Sequence, residues 1–239
     1  MPGQTKPRSD LRMPLSRERV LHAAIKLADE SGVDALSMRK LGQEVGVEAM
    51  SLYNHVANKE DVLDGMVDVL MNEINEIVGS IEASAGDWKF VMRQRVLAAR
   101  GVLLRHPWAP GVLETRANVS APMMRYFDSV VGLFFGAGFS VDLTHHAMHA
   151  LGSRALGFTQ ELYEDSGDLD ANAMAMLQQM AGEYPNIVSM VTQITHDAGT
   201  TLGWCDDQFE FEFALDLILD GLERLRDTEA TASAVDPQP

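Results

Sequence analysis

Histidines at positions 145, 146 and 149 form the most conspicuous candidate for metal chemistry in the chain. His145 and His149 are four residues apart, so a helix would place both imidazole rings on one face, the spacing by which one helix supplies two metal ligands. No glutamate-rich catalytic pattern accompanies the pair, and His196 and Cys205 lie far along the chain. The spacing leaves open a metal site, the lining of a ligand pocket and packing in a dimer. We expect pocket lining or dimer packing, and no metal site.

No residue pattern indicates an enzyme. We find no nucleophile paired with a base, no glycine-rich phosphate loop and no metal-ligand spacing of a catalytic centre. We therefore expect no catalytic residue and no cofactor. The 239 residues are 46% hydrophobic, which is enough for a folded core and excludes wholesale disorder. The charge-free stretch from Ser129 to Val141 is too short to span a bilayer, and the first residues lack a signal-peptide core, so we expect a cytoplasmic protein.

The charges are distributed unevenly along the chain. The net charge is −16, which taken globally argues against a nucleic-acid partner. Residues 1–60, however, contain nine lysines and arginines against eight acidic residues, whereas residues 61–239 contain ten against 27. This asymmetry favours a positive tip on an acidic body, although a mixed-sign surface with an acidic C-terminal half is also common.

Helical periodicity dominates from Ser16 onward, and no convincing alternating run indicates a strand, so we expect an all-α fold. Suitable capping residues mark the first helices: Ser16, Ser37 and Asn58 at their starts, and Gly32 and Gly46 at the ends of the first two. A short amphipathic segment, Glu48 to His55, precedes a longer helix from Lys59 to about Val78. The buried side chains are expected to include Leu41, Val45, Leu52 and Val56.

Three helices within about 40 residues, with Gly46 and Val47 between the second and third, have the dimensions of a helix-turn-helix domain. Such a turn lets the third helix enter a DNA major groove while the second helix lies across the back of the third. Any small three-helix bundle has similar dimensions, so the spacing alone leaves both interpretations open.

The residues themselves make the interpretation specific. The strings Ser37-Met38-Arg39-Lys40-Leu41-Gly42-Gln43-Glu44-Val45-Gly46-Val47, Ser51-Leu52-Tyr53-Asn54-His55-Val56 and Asn58-Lys59-Glu60-Asp61-Val62-Leu63 closely resemble the DNA-binding domain of the TetR family of transcriptional repressors. The resemblance covers roughly residues 16–70. It implies an all-helical homodimer with a small N-terminal helix-turn-helix domain and a larger C-terminal domain that binds an inducer and dimerises.

The resemblance also implies which residues contact operator DNA: Arg39, Ala49, Met50, Ser51, Tyr53, His55 and Lys59. Arg39 can make a bidentate contact with guanine, whereas Ala49 and Met50 offer only apolar contact, for instance to a thymine methyl group. Tyr53, His55 and Lys59 are suited to donate to phosphate oxygens. Tyr53 as a packing aromatic and His55 as a favourable helix end remain the alternative interpretations.

The expected organisation has four parts. Residues 1–14 form a flexible basic arm whose Lys6, Arg8 and Arg12 either follow the DNA or remain solvated. Residues 15–62 form the helix-turn-helix domain, residues 63–227 the ligand-binding and dimerisation domain, and residues 228–239 a disordered tail.

The larger domain is expected to consist of further helices, approximately Asp87 to Arg105, a short segment to Arg116, Pro122 to Ala137, Ser140 to Tyr163, Ala171 to Ala181, a short turn near Pro185 to Thr195, and Asp207 to Leu225. The resemblance assigns the helices from Ser140 and Asp207 to an intermolecular four-helix bundle. Their periodicity indicates only that each has an apolar face, formed by Ala147, Leu151 and Ala155 on one and by Phe211, Leu215, Leu219 and Leu222 on the other.

A second resemblance concerns the ligand. Leu113-Glu114-Thr115-Arg116, Gly138-Phe139-Ser140, Gly152, Leu156-Gly157 and Glu161 are similar to the ligand-binding domain of the tetracycline-sensing branch of the family. That branch has metal-binding histidines where this chain has Val112 and Ser153, which argues against a tetracycline–Mg²⁺ chelate. The candidate ligand-binding residues are Trp88, Val112, Thr115, Arg116, Phe127, Val130, His149 and Glu161. Arg116 is more often a structural ion-pair partner than a ligand contact in such a position.

The sequence therefore predicts a ligand-responsive repressor that binds palindromic operator DNA as a dimer and is released by a small, mainly apolar organic inducer. The alternative is a small-molecule-binding or enzymatic helical protein whose N-terminal bundle is only structural.

Overall fold

The computed structural model describes residues 14–81, 87–116, 119–157, 179, 181–186, 188–189 and 207–235. The helices within these ranges are α1 (Arg17–Ser31), α2 (Met38–Val45), α3 (Ala49–Leu52), α4 (Lys59–Gly79), α5 (Trp88–Arg105), α6 (Ala109–Thr115), α7 (Ala121–Gly136), α8 (Val141–Gly157) and α9 (Asp207–Val235). The predicted all-α fold class is confirmed. A search of the same ranges finds no helix with the length and apolar character needed to cross a membrane.

The helix ends follow the predicted capping residues. The hydroxyl groups of Ser16 and Ser37 accept the main-chain N–H groups of Arg19 and Lys40, at 3.2 and 3.3 Å. Asn58 caps α4 in the same way. Gly32 and Gly46 end α1 and α2 with φ angles of 76° and 75°, a conformation that favours glycine.

Two predicted elements differ in length from the structure. The segment Glu48 to His55 is helical only over Ala49–Leu52, because no side chain caps α3 at Glu48 and the chain turns at Tyr53. The last helix continues to Val235, so the prediction of a disordered tail from residue 228 is wrong for residues 228–235. No glycine or proline interrupts the chain between Gly221 and Asp236, and threonine hydroxyls at 228 and 231 bond to main-chain oxygens one turn earlier. The predicted helix at Ala171 to Ala181 lies almost entirely outside the described residues, as do most of the predicted turn near Pro185 to Thr195 and the part of α8 predicted beyond Gly157.

The chain divides into two compact units. The first contains the described residues up to Ile77 and Gly101–Tyr126; the second contains those of Val78–Arg100 and from Phe127 onward. The domain boundary predicted between residues 62 and 63 lies within α4 and stays a prediction. Residues 101–126 belong to the first unit because their polar side chains bond to α1 and α4, as described below.

The first unit has a core of small and branched apolar side chains. As predicted, Leu41, Val45, Leu52 and Val56 are buried. Helix α1 is joined to α4 by a bidentate ion pair in which the Arg17 guanidinium donates to both carboxylate oxygens of Asp61, at 2.7 and 2.9 Å. Asp61 also accepts the main-chain N–H of Ala57 at 2.7 Å.

In the second unit, aromatic rings form the core. Phe134 and Phe139 pack against Trp88, with ring centroids 5.9 and 4.8 Å from it. Ion pairs join α5 to α9: Lys89 pairs with Asp220 and Glu223, and Arg93 pairs with Glu212 and Asp216.

The apolar faces of α8 and α9 are buried in the structure. Ala147 and Leu151 on α8, and Phe211, Leu215, Leu219 and Leu222 on α9, are buried within the single chain, and the assignment of the two helices to an intermolecular bundle stays a prediction. The two helices pack against each other in the same chain. The exposed apolar side chains of α9 are Phe209, Phe213, Leu217 and Leu225. The Ala155 side chain lies outside the described residues.

The contribution of the Arg17–Asp61 ion pair to the free energy of unfolding depends on pH. The hydrogen bond from Arg17 lowers the pKa of Asp61 below its ordinary 3.8, burial opposes this, and the Ala57 N–H adds to it. A carboxyl group with a lowered folded pKa stabilises the fold above its unfolded pKa and loses that contribution as the pH falls through the folded value. Asp61→Asn should therefore reduce the free energy of unfolding at pH 7 by about 1 kcal/mol, a modest value because both side chains are partly exposed.

Urea unfolding from pH 7 to pH 2.5 tests this expectation, with the exposed Asp34→Asn as control. The difference between wild type and Asp61→Asn should narrow below about pH 3.8. A difference that stays constant with pH would contradict the assignment.

Candidate nucleic-acid interface

The turn between α2 and α3 depends on a close main-chain approach at Gly42. The Gly42 carbonyl accepts the Val47 N–H at 2.8 Å. A Cβ atom added at Gly42 would lie 2.9 Å from the Val47 oxygen and 3.1 Å from the Ala49 nitrogen. All of these neighbours are main-chain atoms, so only glycine lets α2 lie this close to the start of α3. Gly46, at the end of α2, adopts the left-handed backbone conformation, with φ 75° and ψ 35°, which glycine tolerates.

Three basic side chains of α1 bond to neighbouring helices. Arg19 donates to the Val45 carbonyl at 2.9 Å and so provides a hydrogen-bond donor for a main-chain oxygen at the end of α2. Lys26 pairs with Glu44 at 2.7 Å, and Arg17 pairs with Asp61. These contacts fix α1 against α2 and α4, so these cations hold the unit together and are not its best candidates for DNA contact.

A different set of basic side chains makes no ion pair with another residue in the part of the chain that the structure describes. It includes Arg39 and Lys40 in the first turn of α2 and Lys59 at the start of α4. Arg39 and Lys40 are exposed and Lys59 is half-buried. Lys40 was not among the predicted contact residues, although its position next to Arg39 could have suggested it.

The predicted apolar and aromatic contact residues lie on α3 or directly after it. Met50 is 76% exposed, an unusual position for such a side chain in a folded unit. Tyr53 is 45% exposed, which does not favour its alternative role as a packing aromatic. Ala49, Ser51 and His55 are half-buried, and the His55 carbonyl accepts a hydrogen bond from Arg17. The basic arm with Lys6, Arg8 and Arg12 lies outside the described residues.

Three candidate ligand-binding residues lie on or directly after α6 and are engaged within the first unit. Arg116 donates to Glu60 and Asp64 of α4, at 2.8 and 3.1 Å, and also to the Thr115 hydroxyl. Thr115 in turn donates to the Val112 carbonyl. Val112 is buried. The ion-pair interpretation of Arg116 is therefore the one that the geometry favours.

The remaining described candidates belong to the second unit. Trp88 and Val130 are buried, Phe127 is 38% exposed, and His149 is exposed. The His149 ring stacks edge-on against His145, with centroids 4.6 Å apart. Glu161 lies outside the described residues. Across the described ranges, no group of three or more histidine, cysteine or acidic side chains is placed to hold a metal ion.

One polar contact of the first unit had no signal in the sequence. The Trp108 indole N–H donates to Asp29 at 2.7 Å, and His106 lies 2.8 Å from the same carboxylate oxygen. The partners are 79 and 77 residues apart, so no local pattern could have indicated them.

Comparison with known proteins gives matches to two family models. Residues 20–66 match the model described as "Bacterial regulatory proteins, tetR family". Residues 82–226 match the model described as "Tetracyclin repressor-like, C-terminal domain". The first match covers α2, α3 and the turn between them.

Individual relatives are similar in sequence to this chain along most of their length. The chain is 26% identical to the tetracycline repressor protein class C of Escherichia coli, over 89% of this chain and 92% of the relative. It is 28% identical to the HTH-type transcriptional repressor DrrR1 of Streptomyces coeruleorubidus, over 88% and 78%. Among solved structures, the TetR family protein ActR of Streptomyces coelicolor in complex with (S)-DNPA is similar with a TM-score of 0.67 and 26% identity, over 87% of this chain and 97% of that one.

The close approach at Gly42 yields a direct test. Alanine normally stabilises a helix relative to glycine by about 1 kcal/mol, but at Gly42 the new methyl group must push two main-chain segments apart, which costs about 1–3 kcal/mol. We expect Gly42→Ala to lower the unfolding midpoint and to weaken duplex DNA binding. Gly101→Ala is the matched control, because its Cβ would meet nothing within 4 Å. Equal stability and equal DNA binding of the two variants would show that the contact is unimportant.

Proposed function

The chain belongs to the TetR family of ligand-responsive transcriptional repressors, and we propose that it binds a palindromic operator as a homodimer and is released by a small, mainly apolar inducer. The observation that carries the DNA-binding part is the surface formed by α2, α3 and the start of α4. It exposes Arg39, Lys40 and Met50 on helices whose separation is set by main-chain contact at Gly42. Because a repressor must reach its operator DNA, we place the protein in the cytoplasm.

The contact surface combines two kinds of recognition. Arg39, in the first turn of α2, is suited to a bidentate contact with guanine, and Met50 to apolar contact with a thymine methyl group. Lys59, Tyr53 and His55 are assigned to phosphate oxygens, which fix the position of α3 in the groove without distinguishing bases. Ala49 and Ser51 complete the face of α3 that approaches the bases. Lys40 is added as a further phosphate contact.

An exposed apolar stripe supports dimerisation through α9. Phe209, Phe213 and Leu217 follow one another at intervals of four residues, and each is more than half exposed in the single chain. Such a stripe is unfavourable in water and is typical of an interface. We propose that it packs against the same stripe of a second copy, since a two-fold axis brings identical surfaces together.

The proposed release mechanism requires that α6 respond to the inducer. Arg116 ties the C-terminal end of α6 to Glu60 and Asp64 near the start of α4. A ligand whose binding favours a displaced α6 would shift α4 and change the separation of the two DNA-binding units. The two DNA-binding units of the dimer would then no longer fit into successive major grooves of the operator.

The proposed inducer is organic, mainly apolar and recognised without a metal. Val112 offers no donor atom to a cation, and Ser153 is an exposed serine, so the two positions that matched metal-binding histidines do not fit Mg²⁺. Trp88, Val130 and Phe127 remain candidates for apolar contact, His149 for pocket lining and Glu161 for a polar contact. Thr115 and Arg116 are reassigned from direct ligand contact to the link between α6 and α4. The enzymatic alternative is not favoured, since the matched families are transcriptional regulators.

The DNA-contact assignments predict two distinct effects. Lys59→Ala should weaken binding equally on all sequences and flatten the salt dependence by about one counterion, because a phosphate contact is lost. Arg39→Ala should relax the preference at one base pair, with a loss of about 1–3 kcal/mol on the preferred sequence. Gel-shift titrations over a series of salt concentrations distinguish the two.

The control for these titrations is Arg125→Ala, which removes an exposed positive charge from α7 and should leave both quantities unchanged. If Lys59→Ala and Arg39→Ala behave like this control, the assigned face does not contact DNA.

The metal-free inducer is tested by calorimetry with tetracycline in the presence of Mg²⁺ and in the presence of EDTA. We expect no tight binding that depends on Mg²⁺, because the histidine ligands are missing. Thermal-shift screening in EDTA should instead find an apolar compound that releases operator DNA. Submicromolar, Mg²⁺-dependent binding of tetracycline would overturn the proposal.

A further inference from the structure

We propose that Asp29 is a positioning residue that couples α6 to α1, giving the repressor a second link between its ligand-responsive segment and its DNA-binding helices. The inference rests on the proposed function, because it concerns how an inducer signal reaches the operator-binding surface. It assigns this role to a carboxylate that lies outside the assigned DNA-contact surface and outside the candidate ligand-binding residues.

The contact is built around a single carboxylate oxygen. Asp29 Oδ1 accepts the Trp108 indole N–H at 2.7 Å and the His106 Nδ1–H at 2.8 Å. The Trp108 side chain is 7% exposed, so its N–H has little access to water and needs a protein acceptor. A charged acceptor makes both hydrogen bonds stronger than bonds between neutral groups.

The contact joins two elements whose relative position matters. Asp29 lies in the last turn of α1, and Trp108 is the residue that immediately precedes α6. The N-terminal end of α6 is therefore bonded to α1, while its C-terminal end is bonded to α4 through Arg116. Only seven residues of helix separate the two anchors. Any displacement of α6 therefore acts on α1 as well as on α4.

Helix α1 carries the displacement onward to α2. Arg19 bonds to the Val45 carbonyl at the end of α2, and Lys26 pairs with Glu44. Through α1, the Asp29 link reaches the helix that contains Arg39. The Arg116 link reaches α4, which contains Lys59, so the two links act on different parts of the contact surface.

Coupling between two sites is reciprocal, which allows a test that needs no inducer. If the position of α6 influences the DNA-binding helices, immobilising those helices on DNA must stabilise α6. The probe is a duplex enriched from random-sequence DNA by the full-length protein. The measured quantity is amide hydrogen exchange of residues 109–115 with and without this duplex.

We expect duplex binding to slow exchange in α6 about fivefold in the wild type, the lower range of allosteric coupling. In Asp29→Ala the slowing should be lost while the duplex still binds, because Asp29 is not on the assigned contact surface. Trp108→Phe should behave in the same way, since it removes the donor and keeps an aromatic ring. Asp29→Asn should restore part of the slowing, because its amide oxygen can still accept the indole N–H.

Phe134→Leu is the matched control, a fully buried aromatic residue that packs in the second unit and is not among the candidate ligand-binding residues. It should retain the full slowing. Equal slowing in wild type, Asp29→Ala and Trp108→Phe would overturn the inference while leaving the proposed function intact. Failure to enrich any duplex would overturn the proposed function and the inference with it.

Discussion

The contact of the Gly42 main chain with Val47 and Ala49 is the constraint on which the DNA-binding unit depends. A side chain of any size at residue 42 would separate α2 from α3, whereas glycine leaves the Val47 N–H within 2.8 Å of the Gly42 carbonyl. The short helix α3 has no side-chain cap and only four residues, so it has little stability of its own. Its position comes from this contact and from the buried Leu52. The exposure of Met50 and Tyr53 follows from that position.

Around this contact, the charges divide between folding and recognition. Arg17, Arg19 and Lys26 of α1 bond to the helices beside them and keep α1, α2 and α4 together. Arg39, Lys40 and Lys59 make no ion pair with another residue in the described ranges, so their charge can act on a polyanion. The strongly acidic sequence beyond residue 60 would repel DNA at long range. A modest positive surface on an acidic protein thus favours one orientation on the duplex.

The elements that could be predicted from sequence are those set by local chemistry. Ser16, Ser37, Gly32 and Gly46 act through neighbours three or four residues away, and the structure contains the helix ends that they indicate. Contacts between distant residues had no such signal: the bonds from Trp108 and His106 to Asp29, and the pairing of Arg116 with α4, depend on tertiary packing. The same limit explains the apolar faces of α8 and α9. Periodicity indicated that each helix buries a face, but it could not distinguish burial inside one chain from burial between two.

The claim that this chain contacts DNA as a two-fold dimer is tested most directly by sedimentation of the protein with its enriched duplex. We expect two protomers on one duplex, at two half-sites whose centres are separated by a whole number of helical turns, about 10 base pairs each. Inserting about half a turn between the half-sites should abolish the two-protomer complex, because the second unit would then face the wrong side of the DNA. One protomer per duplex, or a complex that still forms after the insertion, would show that the chain does not bind DNA as a two-fold dimer.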